Sequence, residues 1–205
     1  MRIVALFSTA VLAWAQHPSD VRNVRWGMTR AEVIAAESAS PIDGDDTTLR
    51  YSATDLAKSD TTVVYGFSDG RLVRATYIFL PVHANANDFV ADFHDVAALL
   101  VAKHNKPTCE RAWWLDDSLQ GERISYLQQD RALPSDIRPY DALAGLTIAL
   151  GHLDLYSTWN GPRTQILHTM TGGDHRIAHR VEYRSVELFA SNQPADALQP
   201  AQVCH

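Results

Sequence analysis

Asp69-Gly70 stands between two runs of alternating apolar residues, Thr61 to Phe67 and Leu72 to Phe79, and constrains the fold more tightly than any other stretch. A two-residue hairpin turn needs positive φ at both central positions, which Asp-Gly supplies at low cost. The resulting register puts Val73, Ala75, Tyr77 and Phe79 on one face, with Val64 among their partners, and Arg74 and Thr76 on the other. One face is therefore core and the other at least partly wet, the pattern of an antiparallel sheet.

Helices on either side of this hairpin have readable ends. In Trp26-Gly27-Met28-Thr29-Arg30-Ala31-Glu32-Val33, Thr29 and Glu32 have the spacing of a capping box, and Met28 with Val33 that of a hydrophobic staple. The predicted helix runs from Thr29 to Glu37 with Val33, Ile34 and Ala36 inward, after a mobile lead-in over residues 16–25. Asp43-Gly44-Asp45-Asp46 lacks the ligand spacing of a calcium loop and reads as a solvated turn. A longer helix, capped by Asn85 or Asn87, carries the stripe Phe89, Val90, Phe93, Val96, Ala97, Leu100 and Val101, then stops at Asn105 and Pro107. Trp113 to Leu115 and Ile124 to Leu127 read as strands, 128–141 as an inserted loop, and Ala142 to Leu150 as a short helix ending at Gly151. Three strands close the chain, Leu153 to Trp159, Arg163 to Met170 and His175 to Tyr183, separated by Asn160-Gly161-Pro162 and by Gly172-Gly173.

This order predicts an α+β fold, an antiparallel sheet with helices packed on one face. A helix followed by three strands occurs twice, in halves 26–80 and 85–190, which share shape rather than residues. The whole of 16–190 is read as a single domain, with 191–205 as a tail.

Met1-Arg2, the apolar run after it and Ala13-Trp14-Ala15 have the layout of a signal peptide over residues 1–15. A periplasmic or secreted location follows as an expectation. No later stretch has the apolar length of a membrane span. The formal net charge of −6, with no basic run, argues against nucleic acid as a partner. Cys109 and Cys204 are the two cysteines, and in an oxidising compartment they are candidates for a disulfide. Closing so long a loop is worth roughly 4–5 kcal/mol in the chain-entropy picture.

The pattern Gly27-Met28-Thr29-x-x-Glu32-Val33 resembles the helix openings of small bacterial envelope proteins, among them the small lipoprotein of the β-barrel assembly machinery and the β-lactamase inhibitor proteins. With Phe67-x-Asp69-Gly70-x-Leu72 and a Trp before a final hairpin, the chain is similar to an uncharacterised group of exported proteins. The resemblance covers about residues 24–107 and the last third in outline. It implies a fold of helix-plus-strand units and a function of binding other proteins. The chain lacks a lipid-bearing Cys after the cleavage site, and Asn105 stands where a Gly is expected.

No Gly-x-Ser-x-Gly elbow, phosphate loop, Cys-x-x-Cys or His-Glu-x-x-His is present in the sequence. With Gly172-Gly173 as the turn, His168, His175 and His179 share one face of the final hairpin, His168 diagonal to each of the others. These histidines are the candidates for a zinc or copper site, or for core imidazoles bonded to backbone. Arg176, Arg180 and Arg184 line the opposite face, and Trp159, just before the Asn160-Gly161 turn, is expected to be partly exposed. The leading expectation is a binding or accessory module for another envelope protein, with no catalytic residues and no cofactor. A metal- or ligand-dependent enzyme using the histidines is the alternative.

Overall fold

The computed structural model describes residues 19–56, 60–115 and 143–190. The expected signal peptide, the strand at 124–127, the loop at 128–141, the tail and Cys204 lie outside the described residues. Within them the elements run α1 (Arg30–Ala36), β1 (Asp43–Gly44), β2 (Thr48–Ala53), β3 (Thr61–Ser68), β4 (Arg71–Phe79), α2 (Ala86–His104), β5 (Cys109–Trp114), α3 (Ala144–Ala149), β6 (Leu153–Asn160), β7 (Thr164–Gly173), β8 (Arg176–Ser185) and α4 (Val186–Ala190). The strands form one antiparallel sheet of order β1-β2-β3-β4-β8-β7-β6-β5. A helix thus precedes four strands twice, and the two four-strand runs meet edge to edge at β4 and β8. The first run is one strand longer than expected, because Asp43-Gly44 pairs with Arg50 and Leu49 instead of staying a free turn, and in the second β5 takes the place of the strand expected at Trp113 to Leu115.

Local chemistry explains most boundaries. Asp69 and Gly70 have φ of 49° and 71°, and the β3–β4 hairpin closes on them. Val64 opposes Thr76 on the outer face, and Val63 and Tyr65 are the core partners of Tyr77 and Ala75. At the start of α1 the Glu32 carboxylate accepts from the Thr29 amide at 2.7 Å and the Thr29 hydroxyl accepts from the Glu32 amide at 3.3 Å, so the capping box is formed. Val33 is buried while Ile34 is exposed. Asn85 caps α2 through Asn87, and Asn105 ends it with φ of 66°. Val90, Phe93, Val96 and Leu100 are its buried stripe, and Val101 lies outside it. Val96 and Leu100 join the core of the first half, and Val90 and Phe93 join that of the second, so α2 spans both.

Two further expectations are overturned. Residues 20–24 are built into the fold: Val21 and Val24 bridge each other across a tight turn and are buried in the core. The turn between β7 and β8 is Asp174-His175, with φ of 50° and 59°, and Gly172 and Gly173 pair with Ile177 and Arg176 inside the ladder. The reason is α3. Its Ile148 carbonyl lies 2.0 Å from where a Cβ on Gly172 would sit, and its Ala149 carbonyl accepts from the His175 amide at 3.0 Å. Gly172 serves close approach of a helix instead of a turn. Gly172→Ala is therefore expected to cost about 2–3 kcal/mol through overpacking. Gly173→Ala, whose Cβ meets nothing within 4 Å, is expected to stay within about 0.5 kcal/mol of wild type in denaturant melts.

Candidate functional site: the open face of the sheet

All the buried side chains of β2 to β4 and β8 that form the core point to the helix side, so the opposite face is defined by the alternating positions. Cross-strand register arranges this face in rows. One row holds Thr48, Gly66, Arg74, Arg184, Gln165 and Asn160, the next Arg50, Val64, Thr76, Glu182 and Leu167, and a third Ser52, Thr62, Ile78, Arg180 and Thr169. Apart from Gly66, which is buried beneath Arg74, these residues are half-buried or exposed. Towards β6 the face closes, since Tyr156 and Thr158 are buried. Burial raises the pKa of Asp154 there.

Arginine dominates the open part. Arg74 lies directly opposite Arg184, an arrangement that costs free energy when neither is compensated. Two features relieve it. The Arg74 guanidinium folds over Gly66, where a Cβ would come within 3.2 Å of its Nε, and Arg184 donates from Nε to Glu182. Arg50 pairs with Asp43 at 3.3 Å. Arg74 and Arg180 make no ion pair among the described residues. At the end of this face a cleft of about 300 Å³ is lined by Asn160, Gly161, Gln165, Arg184, Ser185, Val186 and Phe189. The Arg184 guanidinium stacks over the Phe189 ring, 4.7 Å from its centroid.

Of the expected binding residues, Arg180 and Arg184 lie on this face and Arg176 is exposed beside the β7–β8 turn. Trp159 does not. It is 5% exposed and points into the core, because its indole N–H finds the Asn105 carbonyl at the end of α2, 2.9 Å away. It forms one wall of a second cleft, of about 360 Å³, with Asp20, His104, Lys106 and Arg163. Cys109 opens β5 opposite Thr158.

The histidines separate. His168 and His179 meet on the helix side of the sheet, Nε2 to Nε2 at 2.8 Å, while His175 sits exposed in the turn. The pair is 0% and 2% exposed and lies in an aromatic stack, Phe93 over His168 at 3.9 Å and Phe79 over His179 at 4.2 Å. They bond to each other rather than to backbone. Neither Nδ1 has a partner, whereas metal-ligating imidazoles nearly always donate through the second nitrogen. Among the described residues no group of three or more His, Cys, Asp or Glu is placed to hold a metal ion. Among the described residues the pair is thus a donor set of two nitrogens, fewer than the three or four protein ligands usual for zinc.

Sequence reasoning missed a buried polar cluster on the same side. Arg22, with φ of 49°, donates to Glu37 and to Asp55 at 3.1 Å each, and the hydroxyls of Tyr65 and Tyr77 donate to Glu37 and Asp55. Burial, then the neighbouring carboxylates, raise the pKa of both tyrosines. The available signal was the inward parity of Tyr65 and Tyr77 on adjacent strands, since buried hydroxyls usually find partners.

With this geometry established, comparison with known proteins places the chain in no group. No family model matches it, and no curated protein or solved structure does. Among the described residues no helix is long and apolar enough to cross a membrane.

Proposed function

We propose that this chain is an exported binding or accessory module, without catalytic activity of its own, that meets another envelope protein through the open face of its sheet. The observation that carries the reading is the asymmetry of the sheet. One face is buried under α1, α2, α3 and the Val21–Val24 turn, and the other presents arginines among Val64, Ile78 and Leu167. Protein interfaces are enriched in arginine around apolar contacts. The resemblance of the Gly27–Val33 opening to small envelope proteins that act by binding adds to it by analogy. A periplasmic or secreted location and a Cys109–Cys204 bridge belong to the same reading.

Site-specific photocrosslinking tests it. A photoreactive residue at Thr76 or Ile78 is expected to form an adduct with one envelope protein, whereas the same residue at Asp95, exposed on α2, is not. Adducts from Asp95 alone, or none from the sheet positions in cells making the full chain, would overturn the reading.

A further inference from the structure

We infer that the cleft beside Arg184 receives a carboxylate side chain from an acidic segment of the protein partner. The inference rests on the reading of the open face as a protein-binding surface and gives that surface its chemistry.

Arg184 is held as a recognition arginine is held. Its Nε bonds Glu182 and its plane rests on Phe189, so rotation is restricted from two sides. Both Nη groups remain without a hydrogen bond among the described residues. A guanidinium fixed this way loses little entropy on forming the two parallel bonds that a carboxylate accepts. Phe189 and Val186 give the cleft an apolar wall for the methylene stem of Glu or Asp, and Gln165 and Asn160, bonded to each other at 3.0 Å, form a polar rim.

The surroundings carry the same sign. Arg74 stands opposite Arg184 on β4, and Arg180 lies four residues along β8, roughly 13 Å away. Glu182 pairs with Arg184 itself, so the unbalanced positive charge of this face comes from Arg74 and Arg180, on a chain of net charge −6. Such an asymmetry orients an acidic partner towards this face and away from the rest. Phosphate would also suit a guanidinium. The apolar wall gives a bare phosphate nothing to pack on, and the negative net charge opposes a polynucleotide at long range.

The test uses the full chain and a fluorescent oligoglutamate peptide, with binding read by anisotropy. Wild type is expected to bind the peptide with an affinity that falls as salt rises. Arg184→Gln is expected to weaken binding about tenfold or more. Lys106→Gln, in the other cleft, is expected to leave it unchanged. Thermal melts and Arg184→Lys, which keeps the charge and should bind better than Arg184→Gln, separate loss of the contact from loss of the fold. The inference is overturned if wild type does not bind oligoglutamate, if Arg184→Gln binds like wild type, or if an oligothymidylate of equal charge binds as tightly. Crosslinks from Thr76 that persist alongside any of these results would leave the protein-binding reading standing without its acidic chemistry. Oligoglutamate binding lost in Arg184→Gln, with no crosslinks formed, would give the reverse.

Discussion

Arg22→Ala is expected to destabilise the protein by about 3–5 kcal/mol, the cost typical of removing one partner from a buried ion pair. The Glu37 side chain is 0% exposed and that of Arg22 15%, so water replaces little of what the guanidinium supplies. Among the described residues Glu37 would keep only the Tyr65 hydroxyl, and a single neutral donor does not compensate a buried carboxylate. Asp55, whose side chain is 42% exposed, can turn to solvent and contributes less to the loss. The loss is one of charge balance, which a second substitution can isolate. Arg22→Ala with Glu37→Gln keeps an acceptor for Tyr65 and removes the stranded charge, so the double variant is expected to be more stable than Arg22→Ala alone. Denaturant melts of the four proteins in this cycle check it. If the double variant is the least stable and the two losses simply add, the pair is not coupled as the geometry implies.

This cluster marks where reading along the chain stops being informative. Asp69-Gly70, Thr29 with Glu32, and Asn85 with Asn105 act within a few residues of themselves, so their chemistry is visible as spacing. The faces of β8 are equally legible, because parity alone separates Arg180 and Arg184 from His179 and Val181. Arg22 depends on Glu37 and Asp55, which come from other segments, and Trp159 on a carbonyl at the end of α2. Gly172-Gly173 carries a turn signal, but the approach of α3 decides the register two residues further on. The even offset kept every side chain on its predicted face, so His168 and His179 still meet while His175 is lost to the turn. The cleft at Arg184 needed Phe189, and α4 was not anticipated.

Acidification is expected to weaken the fold through that same histidine pair, by about 3 kcal/mol for His179 alone between pH 6.5 and about 4. Burial pushes the pKa of His179 down to about 4, only partly opposed by the Asp92 carboxylate on α2. Burial also lowers that of His168 well below the ordinary imidazole value, with the neighbouring His179 and then His94 acting in the same direction. In the unfolded chain an ordinary imidazole binds its proton near pH 6.5. Below that value the unfolded state binds more protons than the folded state, so stability rises with pH across the window and falls as pH drops through it. Above pH 6.5 the contribution is fully present. Asp92 is itself bonded to His83 at 2.7 Å, and among the described residues the other rings stacked on the pair, Phe79 and Phe93, carry no charge. Because the two rings share one Nε2–Nε2 bond, a single substitution would strand the other ring. The informative variant is His168→Leu with His179→Phe, which removes both titrations and both unpartnered Nδ1 atoms. Its stability is expected to be flatter than that of wild type between pH 6.5 and about 4 in urea melts, and a wild-type profile equally flat over that range would sink the assignment.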